Sequence, residues 1–213
     1  MKQQDSIVYL IDDDVSVREG IADLLRTVGH NVQSFESAQD FLESTRPDAP
    51  SCIVLDVRLP GPSGLEVQRI LMNSDIHLPI IFITAHGDIS MSVRAIKAGA
   101  IEFLTKPVDE QQLLDAVQVG LERDRSRRQE VKALAELRQR FASLTPREQE
   151  IFALMVSGRR NKYIAAEVGL SEMTVKVHRS HVMHKMRANS LIDLARMADQ
   201  LGFSPDRRSK PKD

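Results

Sequence analysis

The sequence has few cysteines and aromatic residues, and it lacks long hydrophobic runs. Cys52 is the only cysteine in 213 residues, which excludes an intramolecular disulfide or a thiolate metal cluster and favours a reducing, cytoplasmic setting. With no tryptophan and two tyrosines, a nucleic-acid surface built on aromatic stacking is not expected. No apolar run approaches the roughly 18–20 residues of a membrane span. Asp5 precedes the first apolar stretch, so we expect neither a secretory signal nor membrane association.

Charge is distributed unevenly along the chain, although the formal net charge is only −1. Residues 1–125 contain 11 Lys+Arg and 20 Asp+Glu, whereas residues 126–213 contain 18 and 10. An acidic first half and a basic second half indicate two domains with different partners. The first half is suited to a cation and the second to a polyanion.

In the first half, five short apolar runs alternate with segments of helical periodicity. The runs cover residues 7–11, 32–35, 52–55, 80–84 and 101–104. This alternation predicts an α/β fold with a doubly wound, five-stranded parallel sheet of the flavodoxin-like type. Such sheets bind ligands beyond the carboxyl ends of their strands.

The rest of the chain is predicted to be helical. A helix beginning near Asp109 is expected to continue through Gly120 towards Arg140 as a long helical linker, with a solvated and fraying charge run as the alternative. Four helices are predicted in an all-α domain that follows, over residues 145–157, 161–168, 172–187 and 190–201. The basic tail, 204–213, is expected to be disordered.

Polar side chains stand where four of the predicted strands end. Asp12 and Asp13 follow the first strand, Asp56 the third, Thr84 the fourth and Lys106 the fifth. Three carboxylates together suit a hard cation such as Mg²⁺, and a carboxylate can act as a nucleophile towards phosphorus. An ammonium group and a hydroxyl can then bind the phosphoryl oxygens. Asp14 is predicted to cap the first helix instead.

Four segments carry a resemblance to a known family: LIDDD (10–14), IVLDVRLPGPSG (53–64), IFITAHG (81–87) and FLTKP (103–107). Over residues 5–122 the sequence resembles the receiver domain of two-component response regulators. The resemblance implies that Asp56 is the phosphoacceptor and that Thr84 and Lys106 contact the phosphoryl group. It also implies Mg²⁺ or Mn²⁺ binding by Asp12, Asp13, Asp56 and the backbone carbonyl of Arg58, a switch formed by Thr84 and Phe103, and a cis Lys106–Pro107 peptide.

The second half contains the signals of a helix-turn-helix unit. Thr145, Pro146 and Glu148 form a strong helix start, and Gly169 followed by Ser171 is typical of the turn between two helices. Residues 144–201 resemble the four-helix DNA-binding domain of the LuxR/NarL/FixJ group. The resemblance implies that residues 191–201 form a dimerisation helix, with ordinary core packing as the alternative. Candidate base contacts are Lys176, Val177, Arg179 and Ser180, and candidate phosphate contacts are Asn161, Lys162 and Thr174.

A metal site is a weaker interpretation of the second half. His178, His181 and His184 recur at intervals of three residues. Without acids or cysteines beside them, they make an incomplete set of metal ligands. Two departures from the group's usual pattern are also present: Tyr163 stands where Glu is common, and Arg159-Arg160 replace a more usual Leu-Ser pair.

Taken together, the resemblance predicts a receiver domain (1–122), a helical linker (123–141), a LuxR-type helix-turn-helix domain (142–203) and a tail (204–213), with motifs most similar to regulators of styrene catabolism. The implied protein is a response regulator, not an enzyme apart from its own phosphotransfer and dephosphorylation. Its implied partners are a sensor histidine kinase, double-stranded DNA, RNA polymerase and, on phosphorylation, a second copy of itself.

Two other functions remain open at this point. Asp12-Asp13-Asp14 also fits the Asp-x-Asp motif of haloacid-dehalogenase-like phosphatases, with Asp12 as nucleophile, but that scheme needs a further acidic motif and gives Asp56 no role. The second alternative is a DNA-binding module that a ligand or a partner protein regulates without phosphorylation.

Overall fold

The computed structural model describes residues 6–74, 76–85 and 87–203. The predicted disordered tail (204–213) and His86 of the 81–87 segment lie outside the described residues. The chain divides between Arg128 and Gln129 into two compact units, each with a hydrophobic core.

The first unit is built on a five-stranded sheet. Its strands are β1 (Ile7–Ile11), β2 (Asn31–Phe35), β3 (Ser51–Asp56), β4 (Ile80–Thr84) and β5 (Glu102–Thr105). The order is β2-β1-β3-β4-β5 and every neighbouring pair is parallel. The predicted doubly wound sheet is therefore confirmed; β1 and β4 have the expected limits, and the limits of the other three strands differ from the expected ones by one residue.

Helices cover both faces of this sheet, because alternate residues of a strand point to opposite sides. Tyr9, Ile53 and Phe82 pack on one face with α2 (Ala38–Glu43), α3 (Gly64–Met72) and α4 (Ile89–Lys97). On the other face, Val8, Val54 and Ile81 pack with α1 (Val15–Thr27) and the amino-terminal part of α5 (Glu110–Ala142). Asp14 caps α1 as predicted, since its side chain accepts hydrogen bonds from the amides of Ser16 and Val17.

The helix α5 is continuous through the predicted linker, so the helical interpretation is confirmed and no break occurs at Gly120. Gly120 is buried against the sheet, and a Cβ built there would lie 3.1 Å from Cys52 Cβ. Glycine at this position therefore serves close helix–strand packing and not helix termination.

The second unit contains four further helices: α6 (Pro146–Val156), α7 (Asn161–Val168), α8 (Glu172–Met186) and α9 (Leu191–Gln200). Thr145 and Glu148 form the predicted capping box at the start of α6. Gly169 makes the turn between α7 and α8 with a φ of 65°, and Ser171 caps α8. The predicted number and order of helices are confirmed.

Candidate functional site

The sheet order brings the predicted acidic residues together. The strands β1 and β3 are neighbours at the point where the strand order reverses, which is where doubly wound sheets bind ligands. Asp12 and Asp56 are buried there and Asp13 is exposed. One carboxylate oxygen from each of the three lies within 4.8 Å of the other two.

Lys106 joins two of these carboxylates. Its Nζ lies 2.6 Å from Asp12 Oδ2 and also donates to Asp56 Oδ2. Burial raises the pKa of Asp12, and the ammonium of Lys106 opposes this effect. Burial alone would lower the pKa of Lys106, but its hydrogen bonds and charge contacts with Asp12 and Asp56 outweigh burial, and its pKa is raised. Lys106 therefore keeps its positive charge beside Asp12 and Asp56.

The two predicted switch residues lie near each other. Thr84 is buried at the end of β4, and its carbonyl accepts a hydrogen bond from the Lys106 amide (2.8 Å). A Cβ built on Gly87 would lie 2.6 Å from Phe103 Cε1 and 3.2 Å from Thr84 Cγ2. The Phe103 ring and the Thr84 methyl group therefore both border Gly87. The ring is partly buried and lies 6.1 Å from the Phe82 ring centroid.

The loop after β3 is closely fitted to Asp56. The Arg58 amide donates to Asp56 Oδ1 (2.9 Å). A Cβ on Gly64 would lie 2.4 Å from the Asp56 carbonyl oxygen, so only glycine allows this approach. The Lys106–Pro107 peptide is cis, as the resemblance implied.

One contact at the site was not predicted. The Arg18 side chain, on α1, donates to the backbone carbonyl of Asp12. Arg18 lies six residues after Asp12 in the sequence, on the first helix. An arginine on a helix is common, so its presence there does not predict a hydrogen bond to the Asp12 carbonyl.

The donor set at the acidic site fits a hard divalent cation. Carboxylate oxygens, with water completing the coordination, are the ligands that Mg²⁺ prefers. Asp13 is exposed and Asp12 and Asp56 each have one oxygen facing Lys106. The carboxylate oxygens that do not contact Lys106 are therefore left as ligands for a cation.

The predicted DNA contacts lie on the outer side of α8 and on α7. Lys176, Val177 and Ser180 are exposed, and Arg179 is partly exposed. Burial lowers the pKa of Arg179. On the opposite side of α8, Val175, Val182 and Met186 are buried in the core. Of the candidate phosphate contacts, Lys162 is exposed, whereas Asn161 and Thr174 are partly buried.

The histidines of α8 do have an acid beside them, contrary to the sequence-based argument. Ligand atoms of Glu148, His178 and His181 lie within 4.8 Å of one another, because α6 packs on α8. Glu148 is buried, however, and its Oε2 accepts from Lys185 Nζ (2.6 Å) and from the Thr145 amide (2.8 Å). The ion pair between Glu148 and Lys185 therefore links α6 to α8.

Comparison with known families matches both units. Residues 8–118 match the response regulator receiver domain, and residues 142–198 match the LuxR family of bacterial regulatory proteins. The chain belongs to the two-component response regulators, with a receiver domain and a LuxR-type DNA-binding domain joined by a long helix. The phosphatase alternative is thereby overturned, since the protein is a regulator and not a haloacid-dehalogenase-like enzyme.

Individual relatives span nearly the whole chain. Nodulation protein W of Bradyrhizobium diazoefficiens is 54% identical over 199 residues, which cover 93% of this chain and 88% of that protein. The response regulator TodT of Pseudomonas putida is 43% identical, covering 94% and 88%. The solved structure of the response regulator StyR has 49% identity and a TM-score of 0.83, covering 92% of this chain and 99% of that one. The predicted FixJ-type and styrene-type similarity is confirmed. Among the described residues, no helix is long and apolar enough to span a membrane.

Proposed function

We propose that a sensor histidine kinase phosphorylates Asp56, and that this controls dimerisation and sequence-specific DNA binding to regulate transcription in the cytoplasm. The observation that carries the proposal is the buried Asp56 carboxylate, hydrogen-bonded to Lys106 and grouped with Asp12 and Asp13 at the switch point of the sheet. This arrangement supplies a nucleophile, a fixed positive charge and further carboxylates for a cation.

In the phosphotransfer step, an Asp56 carboxylate oxygen attacks the phosphorus of a phosphohistidine. The new O–P bond forms as the N–P bond breaks, and the histidine leaves with the electron pair of that bond. Mg²⁺ or Mn²⁺, held by Asp12, Asp13, Asp56 and the Arg58 carbonyl, would supply charge neutralisation at the phosphoryl oxygens. Lys106 already donates to Asp56 Oδ2, so its ammonium lies beside the oxygens of the acyl phosphate.

The proposed switch follows from the neighbours of the acyl phosphate. The Thr84 hydroxyl donates to a phosphoryl oxygen, and the Phe103 ring moves inward as Thr84 shifts. Gly87 leaves the room between them, because a larger residue would meet both side chains. The movement alters the surface formed by α4 and β5.

That surface is suited to association. Ile89 is 84% exposed, and Val93 and Ile96 on the same helix are also exposed. We propose that this face dimerises on phosphorylation and that two copies of α8 then occupy a two-fold-related DNA site. RNA polymerase is the proposed downstream partner.

The experiment combines gel filtration with selection from random duplexes, with and without acetyl phosphate and Mg²⁺. We expect the wild type to dimerise and to enrich a two-fold-related site only when phosphorylated, and Asp56→Asn to do neither. Asp23→Asn, an exposed carboxylate on α1, is the matched control and is expected to behave as wild type. Equal enrichment by all forms would instead support a DNA-binding module regulated without phosphorylation.

A further inference from the structure

Apart from the acidic site, the first unit has a pocket at the end of the sheet opposite Asp56. It has a volume of about 220 Å³. Residues 46–48, before β3, and residues 76–78, before β4, form two of its walls, and α5 contributes Arg127 and Arg128. None of the carboxylates of the acidic site lines this pocket, and neither does Lys106.

Three guanidinium groups face this pocket, and each keeps donors that the described residues do not use. Arg127 donates to Asp124 through Nε and Nη2. Arg128 donates to Asp124 through Nε and to Asp48 through Nη1. Arg46 gives Nη1 to the Phe41 carbonyl (2.9 Å). Since a guanidinium carries five N–H donors, several remain for a ligand.

Among the described residues at the pocket, the charges do not cancel. Three arginines oppose two aspartates, Asp124 and Asp48, which leaves one positive charge in excess within this described set. Asp124 is fully buried, whereas the Asp48 side chain is 99% exposed, so solvent screens much of its charge. His77 also lines the pocket. The electrostatics favour a monovalent anion.

The wall of the pocket includes Tyr9, whose hydroxyl is buried and unpaired within the described residues. Its side chain is fully buried, and its hydroxyl makes no hydrogen bond of normal geometry with the described residues. Burial raises the pKa of Tyr9, and a hydrogen-bonding contact with the Ser51 side chain, outside normal geometry, and the charge of Arg46 oppose the effect. The Ser51 hydroxyl itself donates to the Ala49 carbonyl (2.8 Å). A buried O–H without an acceptor is costly, and a ligand oxygen would satisfy it.

The geometry points to a binding site for a small monocarboxylate that carries a compact apolar group. The carboxylate would accept hydrogen bonds from the Tyr9 hydroxyl and from free guanidinium donors. Its apolar group would lie against Pro47, Ile76 and Leu78, which form the uncharged part of the lining. The single excess positive charge and these apolar walls favour a carboxylate over the more highly charged inorganic phosphate.

The test is calorimetric titration of the full-length protein with three probes: cyclohexanecarboxylate, its neutral isostere cyclohexanecarboxamide, and inorganic phosphate. We expect the carboxylate to bind with a Kd of roughly 0.1–1 mM, and the other two at least tenfold more weakly. Absence of carboxylate binding would overturn the site. Equal binding of the carboxamide would overturn the role of the charge, and equal or tighter binding of phosphate would overturn the ligand class.

Three variants locate the binding. Tyr9→Phe removes only the hydroxyl and is expected to weaken carboxylate binding about tenfold, the usual effect of losing a hydrogen bond to a charged group. It should not lower the melting temperature of the free protein, because the hydroxyl has no partner there. Arg46→Gln should also weaken binding, whereas Arg69→Gln, the same change at an exposed arginine on α3, should not. Unchanged affinity in Tyr9→Phe, or equal losses in Arg46→Gln and Arg69→Gln, would overturn the assignment.

Discussion

Among single residues, Lys106 neutralises charge at the acidic site by pairing with Asp12 and Asp56. Its side chain is 14% exposed and pairs with two carboxylates that are almost completely buried. Buried charges are stable only when they are paired, so removal of one partner leaves the others uncompensated. The ammonium therefore stabilises the protein before any phosphoryl group is present.

We predict that Lys106→Met lowers the free energy of unfolding by about 2 kcal/mol at pH 7, a value reduced from that of fully buried pairs because the site is partly open to solvent. A carboxyl group with a raised native pKa binds its proton more tightly when folded, so its contribution is greatest at low pH and is lost as pH rises. Without Lys106 the pKa of Asp12 rises further. The deficit should therefore shrink as the pH falls towards 4.

Urea unfolding at several pH values, with and without Mg²⁺, measures this effect. Mg²⁺ should restore part of the lost stability by replacing the missing positive charge. Lys97→Met, an exposed lysine on α4, is the matched control. A Lys106→Met protein as stable as wild type without Mg²⁺ would contradict the prediction.

Gly64 is a second residue whose role is set by geometry. We predict that Gly64→Ala destabilises the first unit by roughly 1–3 kcal/mol, because its methyl group would overlap the Asp56 carbonyl oxygen and the loop must move. Gly20→Ala, on α1, has nothing within 4 Å of the added atom and serves as the control. The melting temperature and the phosphorylation rate should both fall in Gly64→Ala and should not fall in Gly20→Ala. An unchanged melting temperature would show that the loop yields without cost.

At the scale of elements, Asp124 fixes α5 to the sheet. It is fully buried and accepts from the Ser51 amide (2.9 Å), from Arg127 (Nη2, 2.7 Å) and from Arg128 (Nε, 2.7 Å). The long helix is thus bonded to β3 four residues beyond Gly120, close to where the first unit ends.

We predict that Asp124→Asn costs about 2 kcal/mol, since a neutral amide leaves two guanidiniums without their buried counter-charge. Hydrogen exchange should accelerate at the Ser51 amide and in residues 121–128 more than elsewhere in the first unit. Asp115→Asn, an exposed position on the same helix, should change neither. Uniform acceleration throughout the unit would argue against a local anchor.

The helix α8 has one buried face and one face open to a partner. On this basis, we predict that Arg179→Ala lowers affinity for the selected operator by about 1–3 kcal/mol and relaxes base preference at one position. Lys162→Ala should weaken binding to all duplexes alike and reduce the salt slope by about 1.

Fluorescence anisotropy with operator and scrambled duplexes at several salt concentrations separates the two effects. Lys132→Ala, an exposed lysine in the linker part of α5, provides the control for loss of one positive charge. If Arg179→Ala and Lys162→Ala gave the same profile, the division into base and phosphate contacts would be wrong.

At the scale of the whole molecule, the two units have separate hydrophobic cores. The first unit has a core on each side of its sheet, and the second unit has a single core between its helices. We predict two separable unfolding transitions in calorimetry. Saturation with Mg²⁺ at 100 times its Kd should stabilise the first unit alone by about 2.7 kcal/mol, and duplex DNA should stabilise the second alone. A single transition that both ligands shift together would show that the units unfold as one.

Much of this architecture could be predicted from local sequence signals. Hydrophobic periodicity gave the strands and helices, because burial requires period 2 or 3.6 whatever the partner. Capping residues such as Asp14, Thr145 and Ser171 act within their own helix turn, so their roles followed from spacing alone. The short helices α2 and α3 were not individually located, whereas α7, of similar length, was located because Gly169 and Ser171 mark the turn that follows it.

The sequence by itself determined the two-part charge, the order of elements, and the residue types at the strand ends, since each depends on neighbours along the chain. Only the tertiary structure decided the rest. It paired Lys106 with Asp12 and Asp56, placed Glu148 beside the α8 histidines, and buried Tyr9 beneath the arginines. These contacts join residues that are far apart in the chain, and their distances are set by sheet order and helix packing, which no local pattern specifies.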